Sequence, residues 1–138
     1  MPKQIYLYTK SGQTTKLGKA GTWVCVGWDA DLANTGGSSL SLPKGATLFD
    51  MSAWLYCGNL PPDYNLYWRV QTLNGGANNA ELAKFPIAEI RGTTGDTDVQ
   101  FSMVGSVSSG VQTNLRLLVA STKDDTVVKQ AWWRCLYW

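Results

Sequence analysis

The sequence predicts an all-β chain of about nine strands spaced roughly 8 to 12 residues apart, the pattern of a sandwich or barrel, and the reading is a single antiparallel β-sandwich. Three observations carry this. Apolar and polar side chains alternate with a period of two along most of the chain, the pattern of strands with one buried face. Clusters of Gly, Asn, Asp, Ser and Pro separate those segments, as turns do. No segment of ordinary length carries the apolar stripe of a helix, so helix should occupy under about a tenth of the residues, against a usual third. The 138 residues suffice for one sizeable core and not for two, and no repeat, linker or low-complexity segment divides them, so residues 1–138 read as one domain.

In chain order, residues 4–9 (QIYLYT) read as a first strand, ended by Ser11 and Gly12. A polar strand, 14–17, leads through Gly18 and Gly21 into the apolar strand 22–28 (TWVCVGW). Residues 29–39 (DADLANTGGSS) are rich in turn formers and read as a loop. The turn 42–47 then feeds the stretch around which the chain is organised, 47–73, read as two antiparallel strands joined by NLPPDY. Its first arm places Phe49, Met51, Ala53, Leu55 and Cys57 on the inner face and Leu48, Asp50, Ser52, Trp54 and Tyr56 on the outer. Its second places Tyr64, Leu66, Trp68 and Val70 inward and Asn65, Tyr67, Arg69 and Gln71 outward.

Further on, 74–79 reads as a loop and Glu81 to Lys84 as one short helical turn. Pro86 confines residues 85–91 to a sheet edge or a bend. After the turn at 92–96, Val99, Phe101 and Met103 alternate with polar residues, as do Val111, Thr113, Leu115, Leu117 and Val119. Lys123, Asp124 and Asp125 make a turn, and TVVKQAWWRCLYW closes the chain as a strand apolar on both faces.

Composition narrows the chemistry. The chain has no histidine, which removes the commonest general base and every Ser-His or Cys-His nucleophile pair. Asp50, Glu89, Asp96 and Asp98 lie near strands, but nothing fixes two of them at the separation a glycosidase needs, so the chain reads as non-enzymatic. Cys25, Cys57 and Cys135 are an odd number without C-x-x-C spacing. That spacing suits neither zinc nor a disulfide framework, and reduced, buried thiols follow. Asp29, Asp31 and Asn34 could offer oxygens to calcium, yet Ala33 occupies a ligand place of the EF-hand pattern and no glutamate closes the loop; hydrogen-bonded turns account for them. No cofactor is therefore expected. A net charge of +2, with its lysines spaced out, lacks the dense basic stripe of nucleic-acid binding. Neither a leader nor an apolar run long enough to span a membrane is seen, so the expectation is synthesis in a cytoplasm without secretion and without membrane contact.

The aromatics carry the positive signal. Seven tryptophans are too many for one small core, since each is large and its N–H wants a partner. Trp23, Trp28 and Trp68 are assigned to the core. Trp132 and Trp133 are adjacent in a strand and so point to opposite faces. Trp54, Tyr56, Tyr67, Arg69, Trp132, Trp133 and Arg134 make up the Trp, Tyr and Arg set in which interface cores are enriched, and they are the candidate interface or ligand face.

With its Met1-Pro2 start, short Gly/Ser/Thr/Asn-rich loops, few charges, abundant tryptophan and a strand running to Trp138, the chain resembles small bacteriophage virion proteins of the capsid-decoration or minor-tail type. The resemblance implies a jelly-roll-like sandwich and a non-enzymatic symmetric homo-oligomer, often a trimer. It also implies other virion proteins as partners and a location on the particle. The alternative from another class is a carbohydrate-binding or lectin-like receptor-binding module, with Trp54 and Tyr56 as platform, Asp50 as hydrogen-bonding partner and glycans as partners.

Overall fold

The computed structural model describes the backbone of residues 1–29, 39–61, 63–74, 81–84, 88–91, 97–103, 107–108 and 113–138, with side chains for 1–29, 39–61, 63–70 and 114–138. The strands are β1 (Lys3–Tyr8), β2 (Thr15–Lys16), β3 (Val24–Cys25), β4 (Leu40–Leu42), β5 (Thr47–Gly58), β6 (Asn65–Asn74), β7 (Glu81–Lys84), β8 (Ala88–Arg91), β9 (Thr97–Met103), β10 (Val107–Ser108), β11 (Thr113–Ser121) and β12 (Val127–Tyr137). None of the described residues is helical. Glu81 to Lys84, expected as a helical turn, is strand β7, bonded to the edge of β6. A four-residue segment has too few internal hydrogen bonds to hold a helix against a ladder.

The strands form two antiparallel sheets. In the front sheet the order is β1-β12-β5-β10, with β2 also on β12 and β9 also on β5. In the back sheet it is β3-β11-β6-β7, with β4 also on β11 and β8 also on β6. Short segments continue one another along the same line: β1 with β2, β3 with β4, β7 with β8, and β9 with β10. Among the described residues eight strand positions result, four to a sheet, and the chain crosses repeatedly between sheets. This is a jelly roll, with one position fewer than the expected nine.

The expected pairing of 47–58 with the strand after it is corrected by this topology. β5 lies in the front sheet between β12 and β9, whereas β6 lies in the back sheet between β11 and β8. The two arms do not lie side by side. Their apolar faces oppose one another across the core, and the segment between them, with Leu60 fully buried, carries the chain from one sheet to the other. An alternating pattern states which way a side chain points, not which strand is its neighbour.

Between the sheets lie Met51, Ala53, Leu55 and Cys57 of β5, Leu66, Trp68 and Val70 of β6, Leu115, Leu117 and Val119 of β11, and Ala131, Trp133 and Cys135 of β12. Trp28 and Trp133 meet there with ring centroids 5.9 Å apart. Each large apolar side chain so buried contributes about 1.5–3 kcal/mol. Burial pushes the Cys57 thiol up to about 12. It pushes Cys135 up too, aided by the negative charge of Asp50. No disulfide joins any of the three cysteines.

Two bulges interrupt the pairing of β5 with β12. Asp50 pairs with Leu136 and Leu48 with Tyr137, which leaves Phe49 as an extra residue on β5. Leu48 consequently enters the core, and Phe49, expected inside, stacks on Trp138 at 5.4 Å. The second bulge inserts Lys129 into β12, between Val128 (opposite Cys57) and Gln130 (opposite Tyr56). Both bulges re-aim the side chains at an end of the longest ladder in the front sheet.

Candidate interaction face

Alternation along three neighbouring strands builds the outer face of the front sheet. β1 buries Leu7 and presents Tyr6 and Tyr8; β12 buries Ala131 and Trp133 and presents Trp132 and Arg134; β5 buries Ala53 and Leu55 and presents Trp54 and Tyr56. Strand register then brings these residues together. Tyr8 lies across from Trp132, and Trp132 across from Trp54, at the separation where cross-strand side chains touch. The Tyr6 ring is 5.7 Å from Tyr8 and 6.1 Å from Trp132, both tilted. Trp54 and Tyr56 lie 6.2 Å apart and nearly parallel. Five aromatic rings thus form one array across three strands.

The array is open to solvent: Tyr6 and Tyr8 are each 42% exposed, and Trp54, Tyr56 and Trp132 are partly exposed. Its polar groups sit at the two ends. The Lys129 ammonium lies 5.7 Å from the Tyr56 ring centre, within cation–π range. At the other end Arg134 lies 3.9 Å from the Asp50 carboxylate.

Of the seven residues singled out in the sequence, the structure gathers four here: Trp54, Tyr56, Trp132 and Arg134. Tyr67 and Arg69 lie in β6, on the outer face of the back sheet, separated from the others by the whole core. Trp133 is fully buried and cannot belong to an outer face; its neighbour Trp132 takes the outward position. Trp23, assigned to the core, is only partly buried, and the Arg69 guanidinium covers its ring at 4.6 Å. Tyr6 and Tyr8 went unnoticed in the sequence, although the alternation in QIYLYT sets both opposite Ile5 and Leu7.

Among the described residues the candidate carboxylates do not converge. Asp50 is engaged with Arg134, and the buried Asp29 lies 3.5 Å from the exposed Lys10 ammonium. Asp31, Asn34 and Asp96 lie outside the described residues, while Glu89 and Asp98 belong to separate sheets. Among the described residues no cluster of acidic, Cys or His side chains could hold a metal ion.

No family model matches the chain, and no curated protein matches it in sequence. Solved structures do resemble its fold. A chain of the infectious bursal disease virus Gx strain superposes with a TM-score of 0.65 at 9% identity, over 99% of this chain and 32% of the viral one. A chain of the T13 particle of the same virus gives 0.58 at 11% identity, over 97% and 31%. One from its VP2 subviral particle gives 0.55 at 8% identity, over 99% and 32%. The chain therefore spans about a third of the length of these viral proteins, and at such identities the likeness is one of fold.

Proposed function

We propose that this protein is a non-enzymatic structural component of a virus particle, a bacteriophage capsid-decoration or minor tail protein, which associates with copies of itself through the outer face of the front sheet. One observation carries the reading: the open array of Tyr6, Tyr8, Trp132, Trp54 and Tyr56 on a jelly roll. Rings of this kind are among the most effective interface anchors. Aromatic residues at the centre with Gln4 and the Asp50–Arg134 pair at the margin match the apolar core and polar rim of an interface. A net charge of +2 offers little repulsion between copies, and closed symmetry covers such a face at no cost in new sequence. The likeness to subunits of viral particles supports the structural role, and the sequence resemblance implies a symmetric homo-oligomer, often a trimer, fixed to a head or tail shell.

The experiment is mass determination by light scattering, for the wild type and for Trp54→Ala combined with Trp132→Ala, followed by co-sedimentation with shells of the cognate particle. The reading predicts an oligomeric wild type that binds the shell and a double variant that stays folded but dissociates. A monomeric wild type that sediments with no shell would refute it.

A further inference from the structure

We infer that the groove at the Tyr56 end of the front sheet is a saccharide-binding site at the margin of the aromatic array, sharing Tyr56 with it. The groove is open, encloses about 590 Å³, and is lined by Thr14, Tyr56, Asn59, Lys129 and Gln130 over a floor that includes Val127. That volume falls in the usual range for small-ligand sites and accommodates one or two sugar rings.

The bulge in β12 makes the site. Val128 and Ala131 both point into the core, so a regular strand would send only one of the two residues between them outward. The extra residue there lets Lys129 and Gln130 both leave the core side, next to each other and beside Tyr56. Bulges recur next to binding sites for this reason.

The remaining walls are fixed before any ligand arrives. Asn59 takes a left-handed conformation (φ 63°); its side-chain amide donates to the Asp125 carbonyl at 3.1 Å, and its own carbonyl accepts from the Thr126 hydroxyl at 3.3 Å. On the opposite wall, Gln13 closes the turn before Thr14. Its side-chain carbonyl accepts from the Lys10 amide and its amide donates to the Trp28 carbonyl, both at 2.9 Å. Rigid walls spare a ligand the ordering cost that weakens binding to mobile loops.

The chemistry of the lining selects the ligand class. An aromatic ring offers a flat apolar surface, as the C–H face of a pyranose requires. The Thr14 hydroxyl, the Gln130 amide and the Lys129 ammonium supply donors and acceptors at the edge, which match a rim of sugar hydroxyls. The lining holds no carboxylate and only one strongly apolar side chain, Val127, which does not suit a peptide's hydrophobic anchors.

The test uses the intact protein on an array of bacterial O-chain, capsular and teichoic saccharides printed beside animal glycans. The tightest binder is then titrated as a soluble oligosaccharide by saturation-transfer NMR. Retention of at least one glycan, with a tenfold or greater loss of affinity in Gln130→Ala combined with Thr14→Val, is the expected result. Retention of none, or equal binding by wild type and double variant, overturns the inference. Both substituted side chains are solvent-facing, and circular dichroism of the double variant confirms its fold. Glycan retention and oligomeric mass are separate readouts, and Gln130 and Thr14 lie outside the five-ring array, so failure here is distinct from failure of self-association.

Discussion

On the front sheet the outward positions of β1, β12 and β5 carry rings that touch one another and face solvent. On the back sheet several outward positions of β6 and β11 are engaged within the chain. There Arg69 covers Trp23, the Ser41 hydroxyl donates to the Asn114 side-chain carbonyl at 2.6 Å, and Leu118 and Ala120 are buried although they pair with the outward residues Arg69 and Tyr67. Alternation alone would make the two faces equivalent. They differ because the back face buries Leu118 and Ala120, whereas the front face leaves Tyr6 and Tyr8 open to solvent. Exposed apolar area concentrated on one face marks a surface meant to be covered.

The strongest way to sharpen this comparison lies within one strand. Trp133→Ala, on the core side of β12, should cost about 3–5 kcal/mol and leave the domain barely folded, whereas Trp132→Ala, on the open side, should change the stability of the isolated subunit by less than about 1 kcal/mol. Urea denaturation measures both. The Trp133 indole N–H meets no acceptor among the described residues, so Trp133→Phe should recover much of the loss. Comparable costs at Trp132 and Trp133 would erase the distinction between faces.

Next in size is the hydrogen bond that closes the back face. Ser41→Ala removes the donor and leaves the buried Asn114 carbonyl short of a partner, at a cost of about 1–3 kcal/mol. The polar pair on the front face, Asp50 with Arg134, is partly exposed and long; Arg134→Ala should cost no more than about 1 kcal/mol. Trp23→Ala, which strips Arg69 of its ring, should fall at about 0.5–1 kcal/mol.

The cysteines separate the faces by reactivity. Cys57 is raised from an ordinary value of 9.0 to about 12 by burial, and burial raises Cys135 further. Cys25, on the back sheet, is half-buried, and the nearby Arg116 charge offsets part of the rise that burial causes. Iodoacetamide should therefore label Cys25 first and reach the other two only on unfolding. An acid whose folded value is raised stabilises the fold fully below its unfolded value and loses that contribution as pH climbs to the folded one. Stability should thus decline from about pH 9 towards about pH 12, and Cys57→Val should flatten the decline. A pH-independent unfolding midpoint over that window would contradict the burial of this thiol.

Much of this was legible in the sequence, for a physical reason. Burial acts residue by residue with the pleat, so the inward sets Met51 to Cys57 and Leu66 to Val70, and the opposed pair Trp132 and Trp133, follow from alternation alone. Strand neighbours depend on contacts distant in the chain, and alternation is silent there; this is why Tyr67 and Arg69 were grouped with Trp54 although a core divides them. The bulges at Phe49 and Lys129 left no mark that period-two reading can use, because one inserted residue looks like ordinary alternation on either side of it. Tyr6 and Tyr8 were readable, but their place beside Trp132 depends on β1 pairing with the far end of the chain.

The most direct measurement of the central claim compares the faces as interfaces. Light scattering on three samples suffices: the wild type, Trp54→Ala with Trp132→Ala on the front face, and Tyr67→Ala with Arg69→Ala on the back face. The wild type and the back-face variant should share one oligomeric mass, while the front-face variant should fall to the mass of a single folded chain. Dissociation by the back-face variant with an intact front-face variant, or three equal masses, would contradict it.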